Sequence, residues 1–425
     1  MGVEPVMASL FPDTAQLRAD GVSVGSVDLR DLAATFGTPL FVYDEMTLRE
    51  RCREAAGVFD DGVAFASKSF LCGAMAQLAF EEGLCVDVAT GGELDIVLRT
   101  GVPATRIIVH GNNKSNDEIK RAVAVGVHRF VVDSFDEVAR LRALVSPYAP
   151  LNVLLRVTPG VEAHTHEYVR TGQEDTKFGL SIATGEARRA IAELRSIDGL
   201  TLHGVHAHIG SQIFEVEGFR ESMSLLVAFT AKDDFDELCI GGGLGVAYVT
   251  GESAPSIREW AVAVRDTAAR CGLKRDVRIL AEPGRAIVAQ AAITLYRVGV
   301  VKSVTQRTYM AVDGGMSDNP RPVLYGSGYE AFDVDHPLEA RPQRVRLVGK
   351  HCESGDVLVD DAYLPASTGV GSLVATPVTG AYGYSMASNY NRVPRPAVVF
   401  VRDGVAREVL RRETFDDLAR LEVGI

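Results

Sequence analysis

The sequence is poor in cysteine, in tryptophan and in long apolar runs. Among its 425 residues are six cysteines and one tryptophan, and no two cysteines have C-x-x-C spacing. This excludes a zinc knuckle and a thioredoxin-type redox site. No apolar run approaches the roughly 20 residues of a membrane-spanning helix. The N-terminus also lacks the basic stretch and apolar core of a secretory signal, so we expect a cytoplasmic protein with reduced thiols.

Basic residues are outnumbered by acidic ones. The chain has 44 Lys and Arg against 56 Asp and Glu, which gives a formal net charge of −12. Because an acidic chain repels a phosphate backbone, we expect no nucleic-acid partner. Hydrophobic residues make up 47% and charged residues 24%, as in ordinary globular proteins. At roughly 100–200 residues per domain, the length predicts two domains.

Short apolar runs alternate with segments of helical period between about residues 60 and 290. The runs are 63–68, 84–89, 106–111, 129–134, 152–157, 202–210, 237–243 and 278–283. Continuous apolar strands indicate burial on both faces, as in a parallel sheet. Eight strands with intervening helices predict a (β/α)8 barrel. A doubly wound open sheet is the alternative, but no G-x-G-x-x-G follows the first strand.

The chain after about residue 290 is rich in β-branched stretches separated by turns. This pattern predicts an antiparallel β domain. Residues 1–45 are also partly strand-like and could join it. We therefore predict a barrel over 46–287 and a β domain built from 1–45 and 288–425.

Polar residues end the predicted barrel strands, where barrel enzymes gather their functional groups. They are Lys68, Asp87, His110, Asp133, Arg156, His206, His208, Gly241–Gly243, Glu282 and Arg285. A desolvated lysine suits Schiff-base chemistry, although Lys68 taken alone favours the interpretation of a surface lysine.

Glycines and an arginine follow the seventh and eighth strands. The run Gly241-Gly242-Gly243 would let backbone amides approach an anion, although a flexible turn is the alternative. Glu282-Pro283-Gly284-Arg285 adds a second anion-binding loop, unless Glu282 and Arg285 form a structural pair. Both loops suit a phosphorylated ligand.

His206 and His208 form an H-x-H pair on the sixth strand. Zinc amidohydrolase barrels use such a pair, but on the first strand, where this chain has a lysine. We therefore expect no metal, and an imidazole lying flat against an aromatic ligand ring instead.

The second predicted domain holds three unusual polar segments. Cys352-Glu353 follows a strand and is unlike a buried structural thiol, whereas we expect the other five cysteines to be packing residues. Arg321 and Tyr325 share one loop, and Tyr382 lies in a glycine-rich loop.

Taken in order from residue 65 to 391, the segments resemble the alanine-racemase-like class of pyridoxal-phosphate enzymes, and most closely the diaminopimelate decarboxylase family. They are FASKSF, VDVATGGEL, HGNNKS, LLRVTPG, TGQEDTKFG, GVHAHIGSQI, IGGGLGVAY, AEPGR, SDNPRPVLYG, CESGD and GAYGYSMASNYN. The resemblance implies a barrel with a second β domain, pyridoxal 5'-phosphate as cofactor, and decarboxylation of meso-2,6-diaminopimelate to L-lysine.

The resemblance also implies roles for residues at the cofactor. Lys68 would hold it covalently, His208 would stack on its ring, and Glu282 would pair with the ring nitrogen. A carboxylate there favours decarboxylation, because it keeps the ring protonated and able to accept electrons. The remaining implied cofactor residues are Asp87, Arg156, Ser211, Gly241, Gly242, Gly243, Pro283, Gly284, Arg285 and Tyr382.

Substrate and proton-transfer roles are implied in the same way. Arg285 and Arg321 would clamp the distal carboxylate, since arginine binds carboxylates through two hydrogen bonds. Glu353 would bind the distal ammonium, with Tyr325 and Tyr382 completing the site. Cys352 would donate a proton in the site of the neighbouring subunit of a homodimer. Relatives acting on ornithine or lysine carry an acidic residue near the Arg321 position.

Alternatives remain at this point. One is a related decarboxylase of another substrate, such as carboxynorspermidine, and another is a cofactor-carrying barrel without catalysis. One departure from many relatives is visible, because Ser69-Phe70 follows the lysine in place of Ala-Asn or Ala-Phe.

Overall fold

The computed structural model describes residues 9–148, 150–161 and 176–424, so the first five residues of the TGQEDTKFG segment lie outside it. The chain forms two compact units. One holds the described residues up to Glu50, the segment Ala247–Ser253 and the chain from Ile287 onward, and the other holds Arg51–Val246 and Ala254–Ala286. The predicted boundaries at 45/46 and 287/288 stay a prediction, since compactness alone does not show which segment folds independently.

Eight parallel strands form the barrel unit, as the sequence predicts. They are Ala64–Ala66, Cys85–Val88, Ile107–Val109, Arg129–Val132, Leu151–Thr158, Leu200–His206, Glu237–Cys239 and Arg278–Leu280. Each strand pairs with the next along the chain. The amides of Ala64 and Ala66 bond to the carbonyls of Ala281 and Pro283 at 3.0 and 3.1 Å, which joins the last strand to the first. A two-residue strand, Leu180–Ser181, pairs beside Leu151–Thr158.

Helices alternate with these strands. They are Glu45–Val58, Gly73–Glu81, Gly91–Arg99, Asn116–Val125, Phe135–Leu144, Glu186–Arg195, Glu217–Thr230, Ile257–Arg270 and the short Arg285–Val288. Ser115 caps its helix through a full capping box, and Gly126 ends that helix with a left-handed φ of 69°. These caps satisfy terminal backbone groups that the helix itself leaves unpaired.

Side chains from seven of the strands fill the barrel interior. They are Ala64, Cys85, Ile108, Val131, Leu154, Cys239 and Leu280, each at most 2% exposed. Because both faces of the strands are buried, the strands read as continuous apolar runs in the sequence.

The second unit is built around a large sheet, with a small three-stranded sheet near the N-terminus. The large sheet contains Leu40–Asp44, Ala292–Val304, Arg307–Val312, Phe332–Asp333, Gln343–Val348, Val357–Leu364, Leu373–Pro377, Ala397–Arg402 and Val405–Leu410. The small sheet contains Gln16–Arg18, Gly21–Val24 and Val27–Asp28. Short helices, Leu29–Phe36, Arg321–Tyr325 and Phe415–Ala419, complete the unit.

The N-terminal part of the chain joins the large sheet, as predicted. Strand Leu40–Asp44 lies between Ala292–Val304, to which it is antiparallel, and Ala397–Arg402, to which it is parallel. Arg307–Val312 and Gln343–Val348 are also parallel. The sheet is therefore mostly antiparallel with two parallel pairings. The sequence could not show these pairings, because the partners are far apart along the chain. No helix among the described residues is long and apolar enough to cross a membrane.

Candidate active site

Glu282 is a buried acid at the end of a barrel strand. It is 6% exposed and follows the eighth strand. Its Oε1 lies 2.9 Å from Nε2 of His110, and its Oε2 accepts a hydrogen bond of 2.9 Å from Nε2 of His206. Burial raises the pKa of Glu282, but the charges and hydrogen bonds of the two histidines outweigh it and hold the pKa well below 4.5. The site therefore contains an ionised carboxylate away from water.

Asp87, on the second strand, is the other buried carboxyl group of this cluster. Its Oδ1 lies 3.8 Å from Nε2 of His110. Burial raises the pKa of Asp87 to about 6, with Glu282 adding to the rise and His110 and Lys68 opposing it. Two neighbouring carboxyl groups thus titrate apart, a pattern common at catalytic sites.

Arg156, on the fifth strand, is held by Asp133 at the end of the fourth. The Arg156 Nη1 donates to Oδ2 of Asp133 at 3.4 Å, and the Gly179 amide donates to Oδ1 at 2.9 Å. The guanidinium carbon also lies 4.3 Å from the centre of the Phe178 ring. The predicted Asp133 is therefore a partner of the predicted Arg156.

A buried ion pair between Lys114 and Glu137, which the sequence did not reveal, contacts Asp133 through its backbone amide. Lys114 Nζ lies 2.9 and 3.1 Å from the two carboxylate oxygens of Glu137 and also donates to the carbonyls of Gly111 and Val131. Glu137 in turn accepts from the Asp133 amide at 2.8 Å. In the sequence Glu137 resembles an ordinary acidic residue in the first turn of a helix. Only its burial, with 1% of the residue exposed, identifies its pairing with Lys114.

The two histidines of the H-x-H motif face different partners. His206 bonds to Glu282, whereas Nδ1 of His208 accepts a hydrogen bond of 3.1 Å from the Gly242 amide. Burial and the nearby cations Lys68 and Arg156 lower the pKa of His208 well below its ordinary value. His208 is therefore a neutral imidazole whose orientation is fixed by the backbone. The imidazole that shares an acceptor with His206 is His110, so the motif does not form a two-histidine site of the amidohydrolase kind.

The glycine run is required by close packing of the loops. A Cβ on Gly242 would lie 2.3 Å from the carbonyl oxygen of Glu282, and a Cβ on Gly243 would lie 2.3 Å from that of Gly210. Gly243 also has φ of +112°, which side chains rarely tolerate. Gly284 packs in the same way, with a Cβ position 2.9 Å from the carbonyl of Ala66. The two glycine loops are thus backbone surfaces of the kind that can approach a phosphate.

Arg285 and Ser211 are brought together beside these loops. Nη2 of Arg285 donates a 2.8 Å hydrogen bond to Oγ of Ser211. The loops after the sixth and eighth strands therefore share one cationic group.

Lys68 lies in a single helical turn, Ser67–Ser69, directly after the first strand. Its neighbours Ser67 and Ser69 are buried, while Lys68 itself is exposed. The charge of Lys68 contributes to lowering the pKa of both Asp87 and His208. The amine is accessible at the edge of the cluster.

Arg321 is the buried cation of the second unit. It is 4% exposed, and it donates hydrogen bonds of 2.6 Å to the hydroxyl of Tyr329 and 3.1 Å to Oγ of Ser327. Its guanidinium carbon lies 4.1 Å from the centre of the Tyr248 ring. Burial lowers the pKa of Arg321, but Tyr248, Tyr329 and Tyr382 outweigh it and raise the pKa. No described carboxylate forms a salt bridge with Arg321, so a buried positive charge is left for an anionic ligand.

Cys352 and Glu353 occupy an exposed turn. Oδ1 of Asn391 accepts the Cys352 amide at 3.2 Å, and Asp356 accepts the amides of Met316 and His351 at 2.6 and 2.9 Å. The thiol is therefore presented by a turn that its neighbours hold. Cys271 is also exposed, so the expectation that the other five cysteines are all packing residues is wrong for this one.

Tyr382 and Tyr325 complete the predicted set. Tyr382 has φ of 60°, and so does Val378 four residues earlier. Such backbone strain in a non-glycine residue gathers at functional sites. Tyr325 ends the short helix that begins at Arg321, which places both residues on one element.

Taken together, the fold and these side chains define a barrel enzyme of the pyridoxal-dependent class. Residues 45–289 match the family of pyridoxal-dependent decarboxylases through its pyridoxal binding domain. A diaminopimelate decarboxylase of Mycobacterium tuberculosis is 47% identical, over 95% of each chain. The Bacillus subtilis enzyme of the same name is 45% identical, again over 95% of each chain. The crystal structure of diaminopimelate decarboxylase from M. jannaschii superposes with a TM-score of 0.90 and 28% identity, covering 97% of this chain and 98% of that one. The chain belongs to the diaminopimelate decarboxylase family.

Proposed function

We propose that this protein decarboxylates meso-2,6-diaminopimelate to L-lysine and carbon dioxide, with pyridoxal 5'-phosphate as cofactor. The observation that carries the proposal is the nearly full-length similarity to enzymes of that name, 47% identical in the M. tuberculosis case. The M. jannaschii relative has also been crystallised in co-complex with L-lysine, the proposed product. These relatives favour diaminopimelate over carboxynorspermidine as the substrate.

The barrel residues fit the cofactor. The glycine loops are closely packed backbone without side chains, and Arg285 lies beside them, able to neutralise a phosphate. Glu282 is ionised, as pairing with a protonated ring nitrogen requires, and His208 is a neutral ring able to stack. The accessible Lys68 amine would hold the cofactor covalently, with Asp87 and Arg156 as further polar contacts. When bound, the cofactor accepts the electron pair left by the departing carboxyl group.

The second unit would supply recognition of the distal end of the substrate. Arg321 is a buried cation suited to a carboxylate, and Glu353 is an exposed acid suited to an ammonium. Tyr325 and Tyr382 would complete this region. Cys352 would donate a proton to the substrate carbon after carbon dioxide leaves, a general-acid role. We infer that the protein acts in the cytoplasm as a homodimer.

The test is turnover of purified protein with pyridoxal phosphate and meso-diaminopimelate. We expect release of carbon dioxide and lysine, and no release from ornithine or lysine. Borohydride should remove the visible absorption of bound cofactor irreversibly in the wild type, and Lys68→Ala should lack that covalent label. Brisk activity on another amino acid with none on diaminopimelate would refute the substrate, and an unlabelled wild type would refute the cofactor chemistry.

A further inference from the structure

Two histidines lie close to the two different oxygens of the buried Glu282 carboxylate. His110 is 8% exposed, His206 is 1% and Glu282 is 6%. Each Nε2 lies 2.9 Å from a different oxygen of Glu282. The two imidazole rings also pack edge to face, with centroids 4.9 Å apart and planes at 62°. His206, on the sixth strand, is hydrogen-bonded to the carboxylate, whereas Nε2 of His110, after the third strand, lies at ion-pair distance without hydrogen-bond geometry. The two rings pack against each other, so both strands contribute to the surroundings of Glu282.

The side-chain hydrogen bond of His206 is directed at Glu282. Within the part of the chain that the structure describes, Nδ1 of His206 is buried and has no hydrogen-bond partner. Because an ionised carboxylate can only accept, Nε2 of His206 carries the proton that it donates to Glu282. The imidazole is thus a single-purpose donor to the carboxylate.

The other groups that face Glu282 complete its surroundings. Cys239, on the seventh strand, lies 3.5 Å from Oε1 through its sulfur. Asp87 approaches from the second strand through His110, at 3.8 Å from the same Nε2. Each carboxylate oxygen has two acceptor positions, so Oε2, which bonds to His206, can still accept another donor. Without the imidazoles, burial would favour the protonated acid, which cannot serve as an anionic partner.

We propose that His110 and His206 are positioning residues that hold Glu282 as one fixed, ionised carboxylate for the ring nitrogen of the cofactor. The inference rests on the proposed function, since it concerns how the chain binds pyridoxal phosphate. Neither histidine needs to touch the substrate. The pair acts through Glu282, so its effect should be visible only in a ligand that offers a ring nitrogen.

The experiment compares the affinity of the protein for pyridoxal phosphate with its affinity for the analogue in which carbon replaces the ring nitrogen. The variants His110→Leu and His206→Leu each remove an imidazole from the carboxylate. The variant Glu282→Gln removes the negative charge of the carboxylate itself. We expect each to weaken binding of pyridoxal phosphate by on the order of tenfold and to change binding of the carbon analogue little, since a hydrogen bond to a charged group is lost. Combining either leucine variant with Glu282→Gln should weaken the binding of pyridoxal phosphate little further, because both changes act through the contact of Glu282 with the ring nitrogen.

Two kinds of control keep the test sharp. Gln can present a nitrogen donor near the position of Nε2, so His110→Gln and His206→Gln should retain most of the preference for the ring nitrogen. His203→Leu, on the same strand as His206 but bonded to Asp236 and Asn152, should leave both affinities unchanged. The absorption spectrum of the bound cofactor, followed against pH, gives a second readout independent of turnover.

If the leucine variants bind pyridoxal phosphate and the carbon analogue equally more weakly, the histidines have a merely structural role and the inference is overturned. Leucine variants that keep the wild-type preference for pyridoxal phosphate over the analogue would also overturn it. The ligand atoms of His110, His206 and Glu282 lie within 4.8 Å of one another, so metal analysis is a further check. Stoichiometric zinc that is lost in the leucine variants would replace the inference with a metal site. A wild type that binds neither ligand would instead refute the proposed function itself.

Discussion

Single residues set the chemistry of this chain through the partners that surround them. Arg321 illustrates this, because a buried guanidinium among aromatic rings and hydroxyl groups is costly unless an anion joins it. Its two terminal nitrogens already bond to Tyr329 and Ser327, which fixes the plane of the guanidinium. A fixed plane favours a carboxylate approaching in one direction.

Removing the Tyr329 hydroxyl should therefore weaken substrate binding and leave the chemical step intact. For Tyr329→Phe we expect KM for diaminopimelate to rise about fivefold, since roughly 1 kcal/mol of positioning is lost, with kcat nearly unchanged. Steady-state kinetics measures the split. Tyr363→Phe, at a 52% exposed tyrosine, is the matched control and should behave as wild type. A fall in kcat at constant KM would place Tyr329 in the chemical step instead.

The raised pKa of Asp87 makes the stability of the cofactor-free protein depend on pH. Its pKa rises from 3.8 to about 6 on folding, so the folded state binds the proton more tightly than the unfolded state. This contribution to stability is full below pH 3.8 and is lost as pH rises through about 6. Asp87→Asn should therefore be more stable than wild type at pH 8, by on the order of 2–3 kcal/mol, and similar to it near pH 4. Denaturant unfolding at both pH values checks this, and an equal difference at both would contradict it.

At the scale of elements, loops that follow neighbouring barrel strands act on one another through backbone contact. The Gly242 position is limited by the carbonyl of Glu282, the residue whose side chain must be held. A change in one loop therefore moves the functional group of the next. The two loops are coupled through their backbones, because Gly242 has no side chain.

Gly242→Ala should disturb the end of the eighth strand. We expect a loss of about 1–3 kcal/mol in the free energy of unfolding, as for other overpacked sites, together with weaker cofactor binding. Gly92→Ala is the matched control, because its Cβ would meet only Thr90 Oγ1 at 3.8 Å in the first turn of a helix. That variant should be neutral or more stable by up to about 1 kcal/mol. Thermal unfolding and cofactor titration of both proteins decide the matter, and equal behaviour would show that the loop can move away.

Elements governed by local patterns were predictable from the sequence, and partnerships across the fold were not. The barrel strands read as continuous apolar runs because both faces are buried, and Ser115 and Gly126 mark helix ends through local hydrogen bonds. The contacts of His110 and His206 with Glu282 connect three strands that are far apart in the sequence. Tyr329 likewise carries no local signal of its bond to Arg321. Such partners are chosen by tertiary packing, so composition and periodicity cannot identify them.

For the whole molecule, net charge and local charge point in opposite directions. The chain carries −12, yet the groups assigned to phosphate and carboxylate binding are cations. They are Lys68, Arg156, Arg285 and Arg321. Anionic ligands would thus be selected by specific sites, since the acidic surface gives them no general attraction. The barrel unit carries Lys68 and the second unit carries Cys352, so the proposed reaction needs both units.

Mixing two inactive variants tests whether the site is shared between subunits of a homodimer. Lys68→Ala and Cys352→Ala should each decarboxylate poorly alone, the second while keeping the visible absorption of bound cofactor. If each site takes Lys68 from one chain and Cys352 from the other, a mixed dimer regains one intact site of its two. Random exchange makes half the dimers mixed, so activity should recover to about a quarter of wild type. If both residues serve the same chain's site, no pairing restores an intact site and the mixture stays inactive. Refolding the two variants together from denaturant, with each refolded separately as the control, distinguishes these outcomes because exchange of subunits is then assured.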